Sequence, residues 1–147
     1  MIFLYAFALV AGIANAFQAG ANSTFAKTLH QPFLAALIVV GISALSLAAA
    51  GLVSGRLAWP SAASFAEVPW WGWVGGILSA VLLMSQLFVA EAIGAGPFLG
   101  IIVVSGTVAS LLIDHYGLVG FKVHGLNAWR IVGGALMSLG VLLVALF

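Results

Sequence analysis

Residues 33–54 read FLAALIVVGISALSLAAAGLVS, a run of 22 residues that contains no charged side chain. The hydrocarbon core of a bilayer is about 30 Å thick, so a helix that crosses it needs about 20 mostly apolar residues. Pro32 precedes the run, and Gly55 and Arg56 follow it. This stretch therefore predicts a membrane-spanning α-helix, and the rest of the chain must suit the same environment.

The composition of the whole chain agrees with a membrane protein. Of its 147 residues, 65% are hydrophobic and 5% are charged, whereas a soluble domain averages about 25% charged residues. So few charges cannot cover a soluble surface, which excludes soluble enzymes, disordered chains and nucleic-acid binding through a basic patch. The absence of cysteine excludes disulfides, thiolate nucleophiles and cysteine-ligated metals. The charged residues are Lys27, Arg56, Glu67, Glu91, Asp114, Lys122 and Arg130.

Five apolar stretches follow one another along the chain. Charges, prolines and tryptophans fall between them, as is typical of the ends of membrane spans. We therefore predict an all-α integral membrane protein with five transmembrane helices, forming a single transmembrane domain over residues 1–147. The predicted spans are about residues 2–26, 33–54, 70–90, 97–113 and 131–147.

An odd number of spans places the two termini on opposite sides of the membrane. The loops on the amino-terminal side carry Arg56, Lys122 and Arg130, and those on the other side carry Lys27 alone. This positive-inside bias is weak enough to be compatible with both orientations. Two oppositely inserted copies would form a ten-helix inverted-repeat bundle, an arrangement on which many transporters are built. We therefore expect an antiparallel homodimer with dual topology.

The first span carries a stripe of carboxamides. Asn15, Gln18 and Asn22 recur at i, i+3 and i+7, which puts them on one side of a helix. Amides that face lipid are costly, so this stripe must face protein or water. One interpretation is that the stripe lines a solute path. The alternative is interhelical hydrogen bonding that only holds the bundle together.

Small residues at spacings of four predict close packing between helices. Gly12, Ala16 and Gly20 form such a row on the first span, rotated by about 125° from the carboxamide stripe. Gly96 and Gly100 form another at the fourth span. We interpret these rows as packing surfaces.

Two further polar residues extend the candidate site. Gln86 lies in the third span, and Asp114 follows the fourth, where Thr107, Ser110 and Asp114 share one helix face. We predict that Gln86 and Asp114 contact the solute path. Glu91 is interpreted instead as an anchor at the membrane interface.

No pattern in the sequence predicts catalysis or metal binding. His30, His115 and His124 lie in predicted turns or loops, and no two of them have metal-ligand spacing with a carboxylate on a helix. No nucleophile has an adjacent base within a span. We therefore predict neither an enzyme nor a cofactor or metal site.

Several short motifs make the chain resemble the YdcZ-like family. This is a family of five-helix proteins of the bacterial inner membrane within the drug/metabolite transporter superfamily, and the resemblance covers essentially the whole chain. The motifs are Gln18 and Asn22 in the first helix, Trp70-Trp71 leading into Gly75-Gly76, Gly106, the run Leu111–Gly117, and Arg130 with Gly133.

The resemblance implies that the chain corresponds to half of the ten-helix members of that superfamily, whose halves are inverted repeats around a solute cavity. It also implies kinship with the four-helix small multidrug resistance proteins, which act as antiparallel dimers. Those relatives keep a proton-coupling glutamate in the middle of the first helix, whereas Asn15 and Gln18 occupy that region here. Proton-coupled export of lipophilic cations by that mechanism is therefore not expected.

Together, these features predict an inner-membrane transporter of a small organic solute, working by alternating access within the dimer. The expected partners are a second copy of the chain, the lipid bilayer and the solute, with no nucleic acid. The solute would be neutral or zwitterionic, since a charge deep in the bilayer needs a counter-charge. A passive channel formed by the antiparallel dimer and a structural or accessory membrane subunit are the open alternatives. The predicted cavity is lined by Asn15, Gln18, Asn22 and Gln86, with Asp114 near its mouth.

Overall fold

The computed structural model describes residues 1–147 as α-helices joined by short loops, without β-strands. Five helices are long and apolar enough to cross a membrane, which confirms the predicted number. The chain divides into two units, Met1–Glu91 and Ala92–Phe147, which are described separately. The helices are α1 (Ile2–Leu29), α2 (Pro32–Val53), the short α3 (Ala62–Ala66), α4 (Trp70–Ile93), α5 (Ala95–Tyr116) and α6 (Ala128–Leu146).

Several helices extend beyond the predicted spans, so that charged residues expected in loops lie in terminal turns. α1 continues past Lys27, a cation in the last turn that the helix dipole favours. α5 continues past Asp114 to Tyr116. α6 begins early because Asn127 caps it, its Oδ1 accepting a hydrogen bond from the Arg130 backbone N–H at 2.9 Å.

The interval between the third and fourth predicted spans, residues 91–96, is almost entirely helical. α4 continues to Ile93, and only Gly94 interrupts the helical backbone before α5 begins at Ala95. Gly94 has φ 90° and ψ 156°, a conformation that glycine adopts without a Cβ clash. Pro97 lies in the first turn of α5, where its missing N–H breaks no helical hydrogen bond.

In the amino-terminal unit, α1 packs against α2. Residues of α1, α2 and α4 form a small apolar core, namely Ala26, Ala35, Leu83 and Leu87. Lys27 Nζ lies 2.9 Å from Glu91 Oε1, which joins the last turn of α1 to the end of α4. The two helices therefore run in the same direction, as alternating spans require. Glu91, predicted to be an interfacial anchor, also holds this half-exposed ion pair.

In the carboxyl-terminal unit, α5 packs closely against α6. A Cβ added at Gly100 would lie 2.8 Å from Val141 Cγ1 and 3.1 Å from Val141 Cγ2. A Cβ added at Gly96 would lie 3.7 Å from Val144 Cγ1. The small residues of α5 therefore permit the close approach of α6 that their spacing predicted.

Candidate functional site

Three of the predicted site residues form a hydrogen-bonded chain between α1 and α4. Asn22 Nδ2 donates to Gln86 Oε1 at 2.7 Å, and Gln86 Nε2 donates to Asn15 Oδ1 at 3.2 Å. Asn22 and Gln86 are only 5% and 3% exposed. Because an apolar environment offers these amides no water, pairing with each other satisfies their hydrogen bonds. The chain ties the two parallel helices together in the interior of the unit.

Gln18 belongs to the same predicted stripe but has a different environment. It lines a cavity of about 430 Å³ between α1, α2 and α4, whose other polar wall residues are Ser43, Ser79 and Gln86. Neither of the hydrogen bonds that link the other three carboxamides involves Gln18. Its amide therefore offers the cavity both a donor and an acceptor.

The two serines that line this cavity have fewer free hydrogen-bonding groups than Gln18 has. Ser43 Oγ donates to the Val39 carbonyl oxygen, and Ser79 Oγ donates to the Gly75 carbonyl oxygen, both at 2.9 Å. Each hydroxyl proton is thus committed to the helix backbone, while lone pairs of the oxygen remain. The cavity therefore presents serine oxygens as acceptors and the Gln18 amide as its uncommitted donor.

Asp114 lies in the carboxyl-terminal unit and has a cationic partner there. Arg130 Nη2 lies 2.8 Å from Asp114 Oδ2, and both side chains are about one-quarter to one-third exposed. Arg130 Nη1 also donates to the His124 carbonyl oxygen at 3.1 Å. The His124 backbone N–H donates to the Asp114 carbonyl oxygen at 2.8 Å. These contacts fasten the α5–α6 loop to both helices that it connects.

A histidine side chain also holds the α5–α6 loop in place. His115 Nδ1 accepts a hydrogen bond from the Leu126 backbone N–H at 3.2 Å. Gly117 ends α5 with φ 63°, the left-handed conformation common at helix ends.

The roles of Arg130 and His115 were missed from the sequence. The opposite charges of Asp114 and Arg130 at the two ends of one loop were the available signal for their pairing.

The candidate residues of the amino-terminal unit are uncharged, and that of the carboxyl-terminal unit, Asp114, is ion-paired. No group of three or more His, Cys, Asp or Glu side chains is arranged to hold a metal ion. What the amide cavity can do chemically is to accept and donate hydrogen bonds to a bound molecule. What the Asp114–Arg130 pair does is to hold a loop between two helices.

Comparison with known proteins identifies the family of the chain. Residues 3–143 match the model of a family described as "Putative inner membrane exporter, YdcZ". No curated protein and no solved structure matches the chain. The match spans nearly all of the chain and includes all or most of each of the five helices that can cross a membrane. The protein therefore belongs to the YdcZ family of inner-membrane transporters.

Proposed function

We propose that the chain moves a small neutral or zwitterionic organic solute across the inner membrane by alternating access within a dimer. The observation that carries this proposal is the uncommitted Gln18 amide in a cavity of about 430 Å³ between α1, α2 and α4. An exporter moves its solute without converting it, and a largely apolar wall that carries two amides and two serines suits reversible binding of an organic molecule. Gln18 is the proposed contact with the solute, and Gln86 supports it from the cavity wall.

The distribution of charge supports a solute without net charge. The charged residues within the long helices are confined to terminal turns, and none lines the cavity. A cation or anion held there would lack a counter-charge in a medium of low dielectric constant. The same distribution leaves no carboxylate at mid-helix to couple transport to a proton. Asp114 lies in the carboxyl-terminal unit, where its carboxylate is paired with Arg130, and its contact with the solute stays a prediction.

The exposed helix faces support a dimer. A Cβ added at Gly12 or Gly20 would have no neighbour within 4 Å, so no helix of the amino-terminal unit packs against these two glycines. α6 has no buried residue, and Ala35 is the only buried residue of α2. A second copy could approach α1 closely along its small residues. Reporter fusions at the carboxyl terminus that found one fixed orientation would contradict the antiparallel form of this dimer.

Transport by the purified protein in proteoliposomes tests the proposal. The vesicles are loaded with an unlabelled solute from a panel of neutral and zwitterionic metabolites, and entry of the same labelled solute is followed. We expect saturable exchange for at least one member and none for cations or anions of similar size. Electrical recording on the same preparation separates the channel alternative, because unitary currents would indicate a pore instead of a carrier. Absence of exchange for every neutral and zwitterionic solute would support the accessory-subunit alternative.

A further inference from the structure

A second cavity adjoins the Gln18 cavity in the amino-terminal unit. It is a groove of about 620 Å³ between α2 and α4, and its walls carry no charge and a single polar residue, Ser79. Phe33 and Leu37 on its wall are 71% and 70% exposed, so the groove reaches the surface of the unit. Val40, Ser79 and Leu83 line both cavities. The groove and the Gln18 cavity, whose wall is also mostly apolar but carries two amides, are therefore neighbours that share one wall.

The small residues of α4 help to form this groove. Gly76 and Ala80 lie one turn apart and both line it. A Cβ added at Gly76 would have no neighbour within 4 Å, so no helix of the amino-terminal unit uses this glycine for close packing. The space beside Gly76 is consequently free to admit another molecule.

The route from the surface of the groove to Gln18 determines which kind of molecule can follow it. A molecule that passes from the surface to Gln18 first meets aliphatic and aromatic side chains, then the Ser79 oxygen, then the Gln18 amide. An ion would find no counter-charge on the way, and a strongly polar solute would lose its hydration in the groove. An apolar body that carries a neutral hydrogen-bonding group fits both environments.

We propose that the α2–α4 groove is a lateral route by which a neutral amphipathic solute moves between the lipid and Gln18. This inference rests on the proposed function, because it takes the Gln18 cavity as the solute site, and it narrows the solute to a molecule that partitions into the bilayer. The apolar part of the solute slides along Gly76 and Ala80, and its polar group exchanges water or lipid headgroups for the Gln18 amide. The boundary between the two cavities is formed by the residues that line both, namely Val40, Ser79 and Leu83.

The chain contains no cysteine, which permits a direct test with a single introduced thiol. In the Gln18→Cys variant, the reaction rate of the thiol is measured in lipid vesicles with two probes. N-phenylmaleimide is neutral and dissolves in the bilayer, whereas a trimethylammonium-bearing methanethiosulfonate is charged and stays in water. Each rate is measured again after adding Gly76→Phe, which fills the groove, or Gly75→Phe. The latter is the matched control, because Gly75 also has open space around it but lines neither cavity.

We expect Gly76→Phe to slow labelling by N-phenylmaleimide severalfold and to leave labelling by the charged reagent unchanged. Gly75→Phe should alter neither rate. Equal rates of N-phenylmaleimide labelling with and without Gly76→Phe would overturn the lateral route. Loss of the dimer in Gly76→Phe alone would also overturn it, because the groove would then be covered by a second copy.

The two probes separate this inference from the proposed function. If the charged reagent labels Gln18→Cys but Gly76→Phe has no effect on N-phenylmaleimide, the cavity stands and the lateral route fails. If the charged reagent never labels Gln18→Cys, water does not reach the proposed cavity, and this part of the proposed function is wrong. A severalfold effect of Gly76→Phe on N-phenylmaleimide would still support the groove in that case.

Discussion

Replacement of Gln18 by methionine is expected to weaken the apparent affinity for the transported solute by about five- to thirtyfold. Methionine keeps the length of the side chain and removes both its donor and its acceptor. One or two hydrogen bonds at about 1 kcal/mol each account for that range. The measurement is the solute concentration at half-maximal exchange in proteoliposomes. Because the Gln18 amide lines a cavity and takes no part in the α1–α4 hydrogen bonds, the thermal stability of the protein should be unchanged.

Phe17→Met is the matched control for this substitution. Phe17 lies next to Gln18 in α1, is 77% exposed and does not line the cavity. It should leave exchange unchanged, since it removes no polar group. An unaltered half-maximal concentration in Gln18→Met would remove Gln18 from the solute site.

Replacement of Gln86 by methionine is expected to destabilise the protein by about 1–2 kcal/mol. The change leaves the buried Asn22 amide without its acceptor, and unsatisfied buried groups of this kind cost about 1–3 kcal/mol. Couplings between polar residues in membrane helices average about 0.6 kcal/mol and reach about 1.7 kcal/mol, so the lower part of that range applies here. Unfolding in detergent, followed by circular dichroism, measures the loss.

The double variant Asn22→Leu with Gln86→Met separates a structural role from a transport role. Replacing both partners by apolar groups removes the unsatisfied, buried Asn22 amide. Only the longer, part-buried hydrogen bond to Asn15 is still missing, so most of the stability should return. We expect solute exchange to be impaired in both the single and the double variant, because Gln86 also forms part of the cavity wall. Recovery of both stability and exchange would mean that these two amides only hold α1 to α4, as the alternative interpretation of the stripe requires.

The number of spans could be predicted because seven charges in 147 residues leave five long uncharged stretches. The ends of the helices could not be predicted equally well. A terminal turn tolerates a charge, so Lys27 and Asp114 did not stop their helices. The true start of α6 depends on one cap hydrogen bond from Asn127, and the junction of α4 and α5 on the backbone freedom of Gly94. Both signals are single residues that hydropathy does not register.

The sequence predicts that the three carboxamides share one side of α1, but it does not predict which of them bond to another helix. At 100° per residue, Asn15 and Asn22 lie about 20° apart around α1, while Gln18 lies about 40–60° from them. That offset is enough for the first two to reach Gln86 and for Gln18 to line the cavity instead. Which helix supplies the partner depends on how α4 lies beside α1, and no local pattern encodes that.

The rows of small residues show the same limit. Gly100 meets Val141 at close range, whereas Gly12 and Gly20 have no neighbour within 4 Å, although all three belong to rows of the same spacing. Spacing identifies a surface that permits close approach. It does not identify the helix that approaches, which for α1 is proposed to come from a second copy.

The central claim is that Gln18 lines a cavity that water and solute reach from the two sides of the membrane. The most direct test is the labelling of the Gln18→Cys variant by a charged, membrane-impermeant thiol reagent added to one side of sealed vesicles and then to the other. Phe17→Cys, at nearly the same depth on α1 but outside the cavity, is the control. We predict that Gln18→Cys is labelled from both sides and that Phe17→Cys resists labelling from either. Equal resistance of Gln18→Cys would contradict the account.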